Sequence, residues 1–322
     1  MQVHPDIAAL RSARAPQRQA QAAVLAARDA WLAEPGMRAM LGELAAYGAG
    51  APLEACPMLD AIFTGQGEAE RLASLLSQHL CAALGENPLG HPPFRFGFDG
   101  KASSIQLARA GRAQLMLQAR EPGPSEAGSH AFTDASRFDA VLAGSAQARV
   151  IRLVEPGVAG ARFSEERLSL QPGHRLAFDL SSETLLVDTV DRRLVVLRLL
   201  RAAADPRPGR EYCAASGKLL HQSAGAIATS RQEATVALLG RMGRTDAAPA
   251  MAMLATGEGD MSLRWQALRE ALALDSATGF AALCTIARRG DDALAGQAGA
   301  LRAQLLETYP ELAQLEDKQC PA

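Results

Sequence analysis

Aromatic side chains supply only 4% of the 322 residues, so the 48% apolar content rests mostly on alanine and the aliphatics. Alanine favours helix and lets helices approach closely, but each one buries little apolar area. Cysteine is scarce and scattered. Cys56, Cys81, Cys213, Cys284 and Cys320 form no CxxC pair and are odd in number. That argues against a disulfide framework and a structural zinc site, and for free thiols in a reducing cytoplasm. No apolar run approaches the ~18 residues of a membrane span, and the N-terminus has no signal-peptide core. The expectation is a cytoplasmic protein with no membrane partner. An excess of one charge is also missing: the net charge is −2 with 21% charged residues, a globular balance that disfavours a nucleic-acid surface. There is no GxSxG elbow, no Walker loop, no HExxH and no GxGxxG after a strand.

What is present divides by texture. Residues 1–90 read as an N-terminal helical segment. "QRQAQAAVLAARDAWLAE" has apolar positions at helical spacing and stops at Pro35-Gly36. "GMRAMLGELAAYGAG", "CPMLDAIFTG" and "GEAERLASLLSQHLCAALGE", which carries His79, continue it. Residues 91–204 read as short strands separated by turns, with turns expected at Ala110-Gly111, Gly144-Ser145 and Pro172-Gly173. "ETLLVDTVDRRLVVLRLLR" is expected to close the set as two strands. Such spacing suggests a small barrel or sandwich. Residues 205–229 form a polar, proline-rich linker. Residues 230–322 are helical again, and "APAMAMLA" falls over "FAALCTIA" when Ala255 is set against Ala287. A helix pair recurring at that interval is the mark of a stacked repeat whose apolar faces are buried by neighbours. The expected class is α+β.

The stretch "GSHAFTDASRFDAVLAG" resembles the first motif of the cupins, small double-stranded β-helix barrels. That motif runs glycine, His-x-His, glutamate, glycine. Here His130 matches the first histidine and Gly144 the closing glycine. Phe132 stands in place of the second histidine and Arg137 in place of the glutamate. "REPGPSEAG" before it, and "RRLVVLRLLR" with "GREYCAASGKL" after it, resemble the entry and exit of the thiol dioxygenase branch. His174, just after Pro172-Gly173, and Asp188 and Asp191 lie near the second motif's positions. The resemblance implies a barrel; a complete metal set would have to be His130, His174 and Asp188, with Fe as the cofactor of such an oxygenase. Phe132 removes a ligand and Arg137 brings a fixed positive charge to a cation's place, which suits an anion better. If Arg137 points inward, Asp139 or Asp188 is expected to neutralise it, and strand alternation puts Arg137 and Asp139 on one face.

Residues 230–322 resemble HEAT-like repeats, which offer a groove to a protein or peptide partner. Trp265 is a candidate either for an anchor between repeats or for a partner-binding residue. Tyr212 and His221 flank the barrel's exit, where they either close over a pocket or anchor the linker. The expectation is a non-catalytic binding or scaffold protein. It has a metal-free, cupin-like barrel for a small anionic ligand, with pocket candidates His130, Phe132, Arg137, Tyr212 and His221. The alternative is a metal-dependent oxygenase with an altered ligand set.

Overall fold

The computed structural model describes residues 13–125, 127–156 and 160–317, so Cys320 lies outside the described residues. The chain is α+β and divides into two compact units. One runs to Pro206 and includes Arg210–His221; the other holds Arg207–Gly209 and the chain from Gln222.

The first unit begins with helices α1 (Ala15–Ala33), α2 (Pro35–Ala49), α3 (Pro57–Thr64) and α4 (Glu68–Glu86). Pro35 and Pro57 sit in the first turns of α2 and α3, where the missing N–H has no intrahelical partner to lose. Trp31, Met40, Leu44, Tyr47, Leu59 and Phe63 are fully buried from the helical side. They share one apolar core with Leu107, Leu115, Leu197 and Leu199 of the sheet that follows. Arg175 ties the layers together, donating to the carbonyl of Gly65 at 3.0 Å and to Glu70 at 2.8 Å.

The sheet strands are β1 (Arg95–Phe98), β2 (Ala102–Ala110), β3 (Ala113–Arg120), β4 (Gly123–Pro124), β6 (Ala135–Glu155), β7 (Arg162–Leu170), β8 (Arg175–Asp179) and β9 (Glu183–Ala202). Their order is β1-β2-β3-β9-β6-β7, with β4 on β9 and β8 on β6. A smaller sheet has the order β11 (Leu219–Ser223), β10 (Gly209–Cys213), β5 (Ser129–Phe132). β6 and β9 run antiparallel from Ala135↔Ala202 to Arg152↔Glu183.

Two strand expectations need correction. The Gly144-Ser145 turn does not exist: β6 passes through it as one strand of 21 residues. Likewise "ETLLVDTVDRRLVVLRLLR" is one strand, β9, and not two. Gly144 takes φ +84°, and a Cβ there would stand 2.0 Å from the carbonyl oxygen of Arg193. The register slips on both sides of it. The glycine therefore makes a bulge that bends both strands while they stay paired, which is the other use of a left-handed residue in a sheet.

The second unit contains α5 (Ile227–Arg241), α6 (Ala248–Thr256), α7 (Met261–Leu274), α8 (Ser276–Arg288), α9 (Ala295–Thr308) and α10 (Ala313–Asp317). α5 packs on α7, α6 on both α7 and α8, and α8 on α7 and α9. Asp260 and Asp275 cap α7 and α8 by accepting from the N–H groups of Leu263 and of Ala277 and Thr278. The α7–α8 corner is tight: a Cβ on Gly279 would lie 2.4 Å from the backbone nitrogen of Leu272. The core is built from Met251, Leu263, Leu268, Phe280, Leu283 and Ile286. Arg264, almost buried, donates to the carbonyl of Ala255 at 3.0 Å and to Asp292 at 2.5 Å.

Candidate functional site

Alternation along β6 places Arg137, Asp139 and Val141 on one face, and the register sets Arg198 of β9 directly across from Asp139. These residues line a cavity of ≈ 50 Å³ together with Gln118 and Arg120 of β3, Leu170 of β7, Leu176 of β8 and Leu185, Val187, Leu194 and Val196 of β9. Side chains from five strands meet there, so the sheet wraps round a common interior. The interior has an ionic end, formed by Arg137, Asp139 and Arg198, above a layer of valines and leucines.

Asp139 is 1% exposed. Arg198 Nε donates to its Oδ1 at 2.8 Å and Nη2 to its Oδ2 at 3.0 Å. Arg137 Nε donates to Oδ2 at 2.9 Å, and its Nη2 donates to the same oxygen. The Arg137 guanidinium also lies 5.2 Å from the centre of the Phe178 ring. Burial acts to raise the pKa of Asp139, but the charges and hydrogen bonds of Arg137 and Arg198 outweigh it and hold the carboxyl well below the usual range. Arg120 reaches the same cavity with no hydrogen bond or ion pair to its guanidinium among the described residues. Burial lowers its pKa, with the charge of Asp99 acting the other way. Asp99 itself is occupied by the backbone N–H groups of Lys101 and Ala102, at 2.9 and 2.7 Å. Three guanidiniums thus line the cavity with one carboxylate among them, and half-buried Arg120 has Asp99 as its nearest named counter-charge.

Apart from Arg137 and Asp139, the residues singled out from the sequence do not share this cavity. His130, Phe132 and Tyr212 lie in the small sheet, where His130 pairs with Tyr212 across β5 and β10. They are buried against Phe163: His130 edge-on at 4.9 Å, Phe132 stacked at 6.1 Å and Tyr212 at 5.9 Å. His130 Nδ1 has no hydrogen-bond partner, and burial lowers the pKa of the ring. His221 is exposed at the surface. His174 is exposed in the β7–β8 turn, where its carbonyl accepts from Val141 N–H at 2.9 Å. Asp188 follows Val187 in β9 and so faces away from the cavity, where it accepts hydrogen bonds from Arg149 Nε at 3.2 and 3.0 Å and from Arg149 Nη2 at 2.9 Å. Of the two acids considered for Arg137, the one that meets it is Asp139. Arg120 and Arg198 carry no motif and went unread in the sequence; their distance along the chain hides them until β3, β6 and β9 are in register.

His130, His174 and Asp188 are not gathered into a ligand set. Among the described residues no group of three or more His, Cys, Asp or Glu side chains is placed to hold a metal ion. The cavity's own donors do not fit an iron either, because its single carboxylate is saturated by guanidiniums and its other charged groups are cations.

In the second unit Trp265 is half-buried and lines an apolar groove with Phe280, Leu301, Leu305, Tyr309 and Leu312. Among the described residues no helix is long and apolar enough to cross a membrane.

No protein-family model and no curated protein matches the chain. Solved structures do. The 7S globulin of Momordica charantia is 15% identical over 44% of this chain, with a TM-score of 0.27, and this chain spans 41% of its length. A cupin superfamily protein from Desulfitobacterium hafniense DCB-2 is 14% identical over 33% of this chain and 83% of its own, with a TM-score of 0.24. The cupin domain of Drosophila melanogaster CENP-C is 13% identical over 34% of this chain and 77% of its own, with a TM-score of 0.28.

Proposed function

We propose that the chain is a non-catalytic binding or scaffold protein. Its β-sheet domain is a cupin-like barrel that holds a small anion at the ionic end of its interior, and its C-terminal helices are a HEAT-like array for a protein or peptide partner. The observation that carries this reading is the saturation of Asp139 by Arg137 and Arg198 with Arg120 left over in the same cavity. A cation entering there would meet positive charge and no free carboxylate oxygen, whereas an anion would meet forked donors. The stacking of α5 on α7 and α6 on α8 supports the repeat reading, since equivalent helices of successive pairs lie on one another. Half-exposed Trp265 at an apolar groove is the feature a partner would use.

Metal analysis of untagged protein grown with iron, zinc, manganese and nickel supplied tests the reading. The expected result is no stoichiometric transition metal. Near-equimolar metal that is lost on His130→Ala would overturn it in favour of the oxygenase of the thiol dioxygenase type.

A further inference from the structure

We infer that the cavity bounded by Arg120, Arg137, Asp139 and Arg198 is a binding site for a short-chain monocarboxylate, with Arg120 as the principal partner of the carboxylate and the valine–leucine layer receiving the tail. The inference rests on the anion-binding reading above and gives the anion a chemical class.

Three features select that class. The first is charge. The Asp139 pair leaves Arg120 as the lining guanidinium with no hydrogen bond from its N–H groups among the described residues, and Asp99, which acts on it through charge alone, only partly offsets the cost of its burial. A planar carboxylate accepts two parallel N–H bonds from one guanidinium, which is the geometry Arg120 can offer without disturbing Asp139.

The second is size. At roughly 10–15 Å³ per water-sized atom, the ≈ 50 Å³ available holds about four heavy atoms, the number in acetate. Nucleotides, sugar phosphates and dicarboxylates of any length are too large.

The third is the wall. Val141, Leu170, Leu176, Leu185, Val187, Leu194 and Val196 offer no hydrogen-bonding side chain to a second polar end; Gln118 is the one neutral polar group in the lining. Sulfate or phosphate, charged all round, would leave oxygens facing those aliphatic groups, whereas a methyl or ethyl group is at home there.

The test is thermal denaturation of the full chain in sodium acetate, propionate, hexanoate, sulfate, phosphate and chloride at matched ionic strength. The expected result is a melting temperature that rises saturably with acetate and propionate and not with the others, because ligand bound only to the folded state stabilises it by mass action. In Arg120→Gln that saturable rise disappears. Where the variant does not fold, saturation-transfer NMR of propionate on the wild-type protein, displaced by acetate, supplies the same answer. A flat carboxylate series, an equal response to sulfate or phosphate, or an undiminished response in folded Arg120→Gln overturns the inference. Metal content read on the same preparations separates the two levels: bound transition metal overturns the proposed function, whereas metal-free protein with a flat series overturns only the carboxylate site.

Discussion

Asp139→Asn changes one atom type at the most constrained point of the sheet interior. The carboxylate accepts four hydrogen bonds from two guanidiniums. An asparagine keeps the shape and one acceptor oxygen, but its amide turns two donors toward groups that can only donate. The remaining charge is then three guanidiniums with no counter-ion in the cavity. With Asp139 1% exposed, solvent cannot take over the lost role. Removing one partner of a buried ion pair destabilises by about 3–5 kcal/mol, and that is the loss expected here. The assay is urea unfolding followed by tryptophan emission in a Trp265→Phe background, so that buried Trp31, the other of the two tryptophans, reports the first unit alone. The pH dependence adds a second reading. Asp139 titrates lower in the folded chain than in the unfolded one, so its stabilisation is complete above the unfolded aspartate value of about 3.9 and is lost as pH falls through the folded value. The gap between wild type and variant is therefore constant from neutral pH to about 5 and narrows only below about 4. A loss under about 1 kcal/mol at neutral pH would refute the argument, because it would mean that the arginines have solvent or another partner to turn to.

Three further outcomes are expected. Gly144→Ala forces a Cβ against the Arg193 carbonyl at a left-handed position and should destabilise the first unit by about 1–3 kcal/mol in the same urea assay, with the second unit unaffected. Arg264→Met removes the donor to both the Ala255 carbonyl and Asp292 and should lower the stability of the second unit, followed through Trp265 emission. Trp265→Ala, at a half-buried position, should cost about 1–3 kcal/mol, less than for a fully buried ring, while reducing capture of a peptide partner once one is identified; a loss of about 5 kcal/mol would make it a core anchor.

Local signals carried far in this chain. Proline at the first turn, glycine after the last, and apolar spacing placed all four N-terminal helices to within a few residues, because each of those features acts on its own neighbourhood. Gly144 shows where local reading stops. A glycine between two alternating segments is compatible with a hairpin turn or with a bulge, and only the presence of β9 alongside, contributed by residues far downstream, decides for the bulge. The same limit governs the site. Arg137 and Asp139 are two apart on a strand, so their meeting is visible from alternation. Arg198 joins them through a register that depends on the bulge, and Arg120 through β3, and neither relation is written near those residues. His130 and Phe132 read as inward-facing on the cupin motif, yet β5 pairs with β10, not with the main sheet, and carries them into an aromatic cluster.

The long, bulged pairing of β6 with β9 also favours one order of assembly. The near end of the ladder, at Arg152 and Glu183, closes a loop of 31 residues. The far end, Ala135↔Ala202, spans roughly twice as many, and each doubling of a loop adds about 0.6 kcal/mol of closure entropy. Zipping from the near end is the less demanding route, and it must pass the Gly144 bulge before Asp139 meets Arg198. On that route the ionic end of the cavity would be among the last contacts made. Weakening it would leave the folding rate nearly unchanged and hasten unfolding, so the arginine–aspartate cluster acts as a latch on the lifetime of the folded chain.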